Sequence, residues 1–176
     1  MLRTDGTVTT LLAAHMDEPV GVELLDHRLV TLDQPDARLE VGAGREVLHR
    51  QVLLYGKSSG LRLIHGQSRL VLDRLTRGMR ADLLRGDLAI GPILRKHRVE
   101  TLRSPIDTGL HQANAEVARH FGPTMMCYRT YAIIAAAKPL MVVHEEFPRT
   151  SFAEQPRASS TATDAAPSDP PRRPHK

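Results

Sequence analysis

The 176-residue chain has a single cysteine, Cys127, no tryptophan, and only 3% aromatic residues. One thiol cannot close an intramolecular disulfide, so the fold must hold by packing, and a reducing cell interior is the expected compartment. Cys127 follows Met125 and Met126 and reads as a buried structural thiol rather than a nucleophile. So few rings argue against a stacking platform for single-stranded nucleic acid. There is no apolar run long enough to span a bilayer and no basic-then-apolar leader, so the reading is cytoplasmic, without a membrane partner. A concentrated block of charge is lacking too: 24 Lys and Arg against 20 Asp and Glu give a net charge of +4, carried largely by scattered arginines. That balance suits an anionic small molecule as well as a nucleic-acid surface, and no nucleic-acid partner is expected.

What remains is ordinary for one globular domain, with 41% apolar and 25% charged residues. From about Ser151 the composition turns to Ala, Ser, Thr, Pro and Arg, ending Pro170-Pro-Arg-Arg-Pro-His-Lys176. Such a segment buries too little apolar surface to offset the entropy of ordering it. Residues 1–150 are therefore read as the domain and 151–176 as a disordered tail.

Asp5 or Thr7 can cap a first helix carrying Leu11, Leu12 and Ala14. A strand is expected from Val20 to Leu32, a turn at Asp33–Asp36, a strand over Glu46–Tyr55, a hairpin loop at Gly56–Gly60 and a strand over Leu61–Leu72. Gly56-Lys57-Ser58 lacks the upstream glycine and the following helix that a phosphate loop needs. Asp73 is placed as the cap of a helix with Leu75, Met79 and Leu83 at helical intervals, ended by Gly86-Asp87, and Ala89–His97 follows as a short helix with Pro92 in its first turn. Ser104–Gly122 is ambiguous, with a helix around Asn114–His120. Tyr128–Ala136 and Pro139–Phe147 read as two strands joined through Ala136-Ala-Lys138. Strands and helices do not alternate singly, so the fold class is α+β, a single antiparallel sheet with helices to one side.

Two strands carry a charge on an otherwise apolar face. In Lys138–Pro148, Met141, Val143, Glu145 and Phe147 share a parity, and in Glu46–Tyr55 so do Leu48, Arg50, Val52 and Leu54. A carboxylate among Met, Val and Phe needs a partner or a proton, and a guanidinium cannot shed its charge. Arg50 therefore seeks a carboxylate, either Glu145 or that of a bound ligand. His49 and His144 precede these residues and face the other side of the sheet. The spacing supplies no third ligand for them, so no metal site is expected.

Thr4-Asp-Gly-Thr-Val-Thr9, Val47-Leu-His-Arg-Gln-Val-Leu-Leu54, Leu72-Asp-Arg-Leu75, Ile90-Gly91 and Lys138-Pro-Leu-Met-Val-Val-His-Glu-Glu-Phe-Pro148 together resemble the chorismate pyruvate-lyase (4-hydroxybenzoate synthase) family, in its shorter actinobacterial type. The resemblance implies a single antiparallel sheet with helices packed over it and an enclosed ligand cavity. It implies elimination of pyruvate from chorismate to give 4-hydroxybenzoate, without cofactor or metal. It puts Arg50 on the carboxylate-binding arginine, Glu145 on the active-site glutamate, and Val8 and Ile90 on cavity-lining positions. Glu145 in apolar surroundings is expected to have a raised pKa and to act near the ether oxygen and ring hydroxyl. Gln67 stands where the family has an arginine or a glutamate, which points to altered handling of the second carboxylate or a different chorismate-like substrate. The alternative function is a non-catalytic aromatic-acid-binding domain, since effector domains of some bacterial transcription regulators are similar in fold.

Overall fold

The computed structural model describes residues 8–149. The expected caps Asp5 and Thr7 and the tail 151–176 lie outside the described residues. In chain order the elements are α1 (Val8–Met16), β1 (Val20–Thr31), β2 (Glu46–Gly56), β3 (Arg62–Leu70), a 3₁₀ turn (Leu72–Arg74), α2 (Arg77–Arg85), α3 (Ile90–Lys96), β4 (Leu102–Gln112), α4 (Ala115–Phe121), β5 (Met125–Ala135) and β6 (Lys138–Pro148). The strands form one antiparallel sheet ordered β1-β2-β3-β6-β5-β4.

Alternation along the strands sorts the side chains onto two faces. Leu48, Leu70, Ile133, Met141 and Val143 meet Met79 and Leu83 of α2 and Ile93 and Leu94 of α3 in the main core. A neighbouring cluster joins Leu12 of α1 to Leu54, Ile64 and Phe147, with Cys127 packed against it, only partly buried rather than buried as expected. The helices are not all on this side. The α4 ring of His120 stacks on His65 of β3 at 6.3 Å between centroids, and His65 alternates with the core-facing Ile64 and Gly66, so α4 covers the opposite face.

Helix α2 begins later than the sequence suggests. Asp73 falls in the 3₁₀ turn, and Thr76 is the cap, its hydroxyl accepting from Met79 N; Leu75 between them is extended and cannot continue a helix from Asp73. Gly86 ends α2 at φ 77°, a left-handed conformation that a glycine adopts freely. The buried Asp82 carboxylate fastens α2 to α3, accepting from Lys96 at 2.8 Å and His97 at 2.7 Å and from Arg85. Lys96 first, then His97, holds its pKa well below the ordinary value of 3.8.

Strand β4 is the element that the sequence left ambiguous. It is an edge strand, where Pro105 needs no ladder hydrogen bond on its solvent side. A bulge between Pro105 and Asp107 shifts its register on β5. Arg103, opposite Ile133, therefore faces the main core, whereas His111, eight residues on, faces the other side.

Two predictions arise here. Ala136 and Ala137 make the β5–β6 turn at φ 48° and 59°, where side chains are strained. Ala136→Asn with Ala137→Gly should stabilise the chain by about 1 kcal/mol, read as a raised thermal midpoint; an unchanged or lowered midpoint contradicts the strain. Asp82→Asn should lower the midpoint at pH 7. Because the folded pKa is depressed, the stabilisation is present above the unfolded value and fades as pH falls toward the folded one, so wild type and variant converge only below about pH 4.

Candidate active site

Between the sheet and helices α1 and α3 lies a cavity bordered by Val8, Thr9, Arg50, Val52, Leu54, Ile64, Gly66, Gln67, Ile90, Arg103, Tyr131, Val143 and Glu145, among others. All five residues singled out from sequence border it. Val8 comes from α1, Arg50 from β2, Gln67 from β3, Ile90 from the start of α3 and Glu145 from β6. Gly66 faces the cavity, and a Cβ there would sit 3.2 Å from the Val52 methyl, so the glycine keeps this wall low.

Arg50 is 1% exposed. Its Nη2 donates to the carbonyls of Leu88 at 2.6 Å and Gly86 at 3.3 Å, in the segment linking α2 to α3. Its Nε is buried without a hydrogen-bond partner among the described residues. Burial lowers the guanidinium pKa to about 10, against a smaller opposing pull from Asp87, so it remains charged at neutral pH.

Glu145 is not the partner of Arg50. It stands opposite Arg129 on β5 and accepts from Arg129 Nε at 2.6 Å through Oε2, while the Tyr131 hydroxyl donates to Oε1 at 3.2 Å. Its surroundings are thus a buried ion pair, not the purely apolar face that strand parity suggested. Arg129 also lies over the Tyr131 ring, 5.2 Å from its centroid, and over Phe147 at 5.7 Å. Burial, and then the Glu145 charge, raises the Tyr131 pKa well above the ordinary phenol value, so the phenol stays a donor. Thr9 adds a buried hydroxyl with no partner among the described residues.

Gln67 borders the cavity through its main chain. Its register, opposite Gln51 and His144, puts the side chain on the face away from Arg50 and Glu145, because successive residues of a strand alternate. A further cation bordering the cavity is Arg103, which the sequence reading missed along with Arg129, Tyr131 and Thr9. Tyr131 and Arg129 share a parity with each other, a signal that was available. Arg103 lies in the ambiguous segment.

One antiparallel sheet with helices packed over it, and a cavity beneath them bordered by the buried Arg50 and Glu145, defines an α+β domain. The fold is that of the effector domain of PhnF from Mycobacterium smegmatis, with a TM-score of 0.65 at 17% identity, covering 82% of this chain and 90% of that one. Within this class the chain belongs to the family described as Chorismate pyruvate-lyase Rv2949c-like, whose model matches residues 2–154. It is 27% identical to a chorismate pyruvate-lyase of Mycobacterium leprae over 161 residues, 89% of this chain and 76% of the relative. It is 25% identical to one of Mycobacterium tuberculosis over 163 residues, 89% and 81% of the two chains.

The Arg129–Glu145 pair can be tested by stability alone. Arg129→Met should cost about 3–5 kcal/mol by leaving a buried carboxylate without its cation. Adding Glu145→Gln should recover part of that loss in urea unfolding, and strict additivity of the two changes would show that the residues do not interact.

Proposed function

We propose that the protein is a chorismate pyruvate-lyase that releases 4-hydroxybenzoate and pyruvate without a cofactor. The observation that carries this is the buried Arg50, which donates to two main-chain carbonyls and, with Asp87 acting on it only through space, keeps a buried Nε without a hydrogen-bond partner among the described residues. A ligand carboxylate aligned on its fork would supply the missing partner. Family membership names the ligand class.

In the reaction the ether bond between the ring and the enolpyruvyl oxygen breaks, the hydrogen on the neighbouring hydroxyl-bearing ring carbon departs, and the ring becomes aromatic. Pyruvate leaves as its enol and ketonises. Aromatisation drives the step, so the protein has chiefly to orient the substrate and exclude water. Arg50 anchors the ring carboxylate. Arg103, across the cavity, answers the second carboxylate in place of Gln67. Glu145, its Oε2 held by Arg129, keeps Oε1 beside Tyr131 for the ring hydroxyl and the departing proton. Val8, Ile90 and Ile133 pack on the ring.

The fold shared with the PhnF effector domain favours one other reading, a sensor that binds an aromatic acid without converting it. Incubation of the purified protein with chorismate, with no metal added, separates the two. Equimolar 4-hydroxybenzoate and pyruvate support the lyase; binding of 4-hydroxybenzoate without turnover supports the sensor; neither binding nor turnover removes both.

Three substitutions report on the roles. Arg50→Ala should lower kcat/KM by about 100-fold or more. Glu145→Gln should keep 4-hydroxybenzoate binding and reduce kcat by about 100-fold. Arg103→Ala should act mainly on KM, raising it by roughly 10-fold or more, as loss of a charged hydrogen bond does. Wild-type kinetics in any of the three would remove that residue from the site.

A further inference from the structure

The face of the sheet turned away from the cavity carries a second set of chemistry-bearing residues. His144 and Glu146, two apart on β6, share this face, and the β4 bulge brings His111 round to join them. A ligand atom from each of the three lies within 4.8 Å of the others. His49, the histidine that parity grouped with His144, is not part of the set: β3 separates β2 from β6, and His49 bonds instead to Asp26 at 3.1 Å.

The hydrogen bonds around the three residues are arranged as a metal would require. His144 Nδ1 lies 2.8 Å from the Thr130 hydroxyl. His111 Nδ1 lies 2.9 Å from the Gln112 carbonyl. Glu146 Oε2 meets His65 Nδ1 at 2.8 Å. Each residue thus has one polar atom tied to an outer partner, which fixes the tautomer and ring orientation of metal-binding histidines. The other atom of each, Nε2 of both histidines and Oε1 of the glutamate, is left for a cation, and His111 Nε2 and Glu146 Oε1 are already 3.0 Å apart. Tetrahedral zinc, with bonds of about 2.0–2.2 Å to nitrogen and oxygen, sets its ligands about 3.3 Å apart. The His111–Glu146 separation is already near that spacing, and all three ligand atoms lie within 4.8 Å of one another. Glu146 is 2% exposed and His65 is fully buried, so the carboxylate and its orienting histidine are held by packing.

We propose that His111, His144 and Glu146 form a binding site for one zinc-class divalent cation, with Thr130, Gln112 and His65 orienting the ligands. Two imidazoles and one carboxylate suit a first-row transition ion rather than calcium or magnesium. The fourth position, beside half-exposed His111, is open to water or a small anion. The cation would join edge strand β4 to β6 across β5, on the face opposite the cavity.

The test uses full-length, untagged, metal-stripped protein titrated with Zn²⁺ against a chromophoric chelator, and with Co²⁺ followed by visible absorption. One Zn²⁺ per chain and a Co²⁺ spectrum of four-coordinate intensity are expected. His144→Ala should weaken Zn²⁺ binding by about 100-fold or more, and Thr130→Val by about 10–100-fold. His111→Gln, on the half-exposed ring, should weaken it comparably while leaving the circular dichroism and the conversion of chorismate unchanged, and it decides the matter if His144→Ala fails to fold. Absence of stoichiometric Zn²⁺ binding, or binding unaltered in His111→Gln, overturns the site and would leave a hydrogen-bonded His–Glu network.

Discussion

A guanidinium buried to 1% exposure, and bonded to main-chain carbonyls, is the constraint around which this molecule is built. Arginine does not escape burial by losing its proton, so Arg50 keeps its charge among Leu48, Val52 and Leu54. The carbonyls of Gly86 and Leu88 take part of its donor capacity, which ties the segment between α2 and α3 to the sheet. Glu145, the one carboxylate among the described residues that borders the cavity, is occupied by Arg129. Were Glu145 to pair with Arg50, the two charges would cancel as a neutral structural pair. Because a second arginine takes the glutamate, Arg50 makes no ion pair with it, and Glu145 is held in one orientation by Arg129 and Tyr131.

The same economy of position runs through both faces of β6. Glu145 and Glu146 are adjacent, yet one borders the cavity and the other meets His65 and His111 on the far side. Strand alternation alone makes this division, and bulges correct it where it would fail. Without the bulge in β4, Arg103 and His111 would share a face, since an even number of residues separates them. With it, one strand serves the cavity near one end and the His–Glu cluster near the other.

Much of this was legible in the chain. Period-two alternation identified β2 and β6 and put Arg50 and Glu145 on their inner faces, and the family motifs placed Val8 and Ile90 at the cavity. One segment stayed open and two readings went astray, for physical reasons. Strand β4 contains Pro105, Asp107 and Gly109, residues depleted in strands, and an edge position tolerates them where a central one would not. Asp73 has the chemistry of a cap, but Thr76 is the residue that bonds Met79 N. Gln67 fell on a family position, yet its side chain follows the alternation of β3 to the other face.

The partner of Glu145 shows where sequence reasoning ends. Counted from the Ala136–Ala137 turn, an ideal hairpin places Tyr128 opposite Glu145. The bulge between Ile133 and Ile134 slips the ladder by one and brings Arg129 there instead. The sequence by itself determined which residues could be strand, helix or turn, and which charges would be costly to bury, because those follow from local periodicity and side-chain chemistry. Only the tertiary structure decided which buried charge meets which, because one extra residue in a ladder moves every later side chain to the other face.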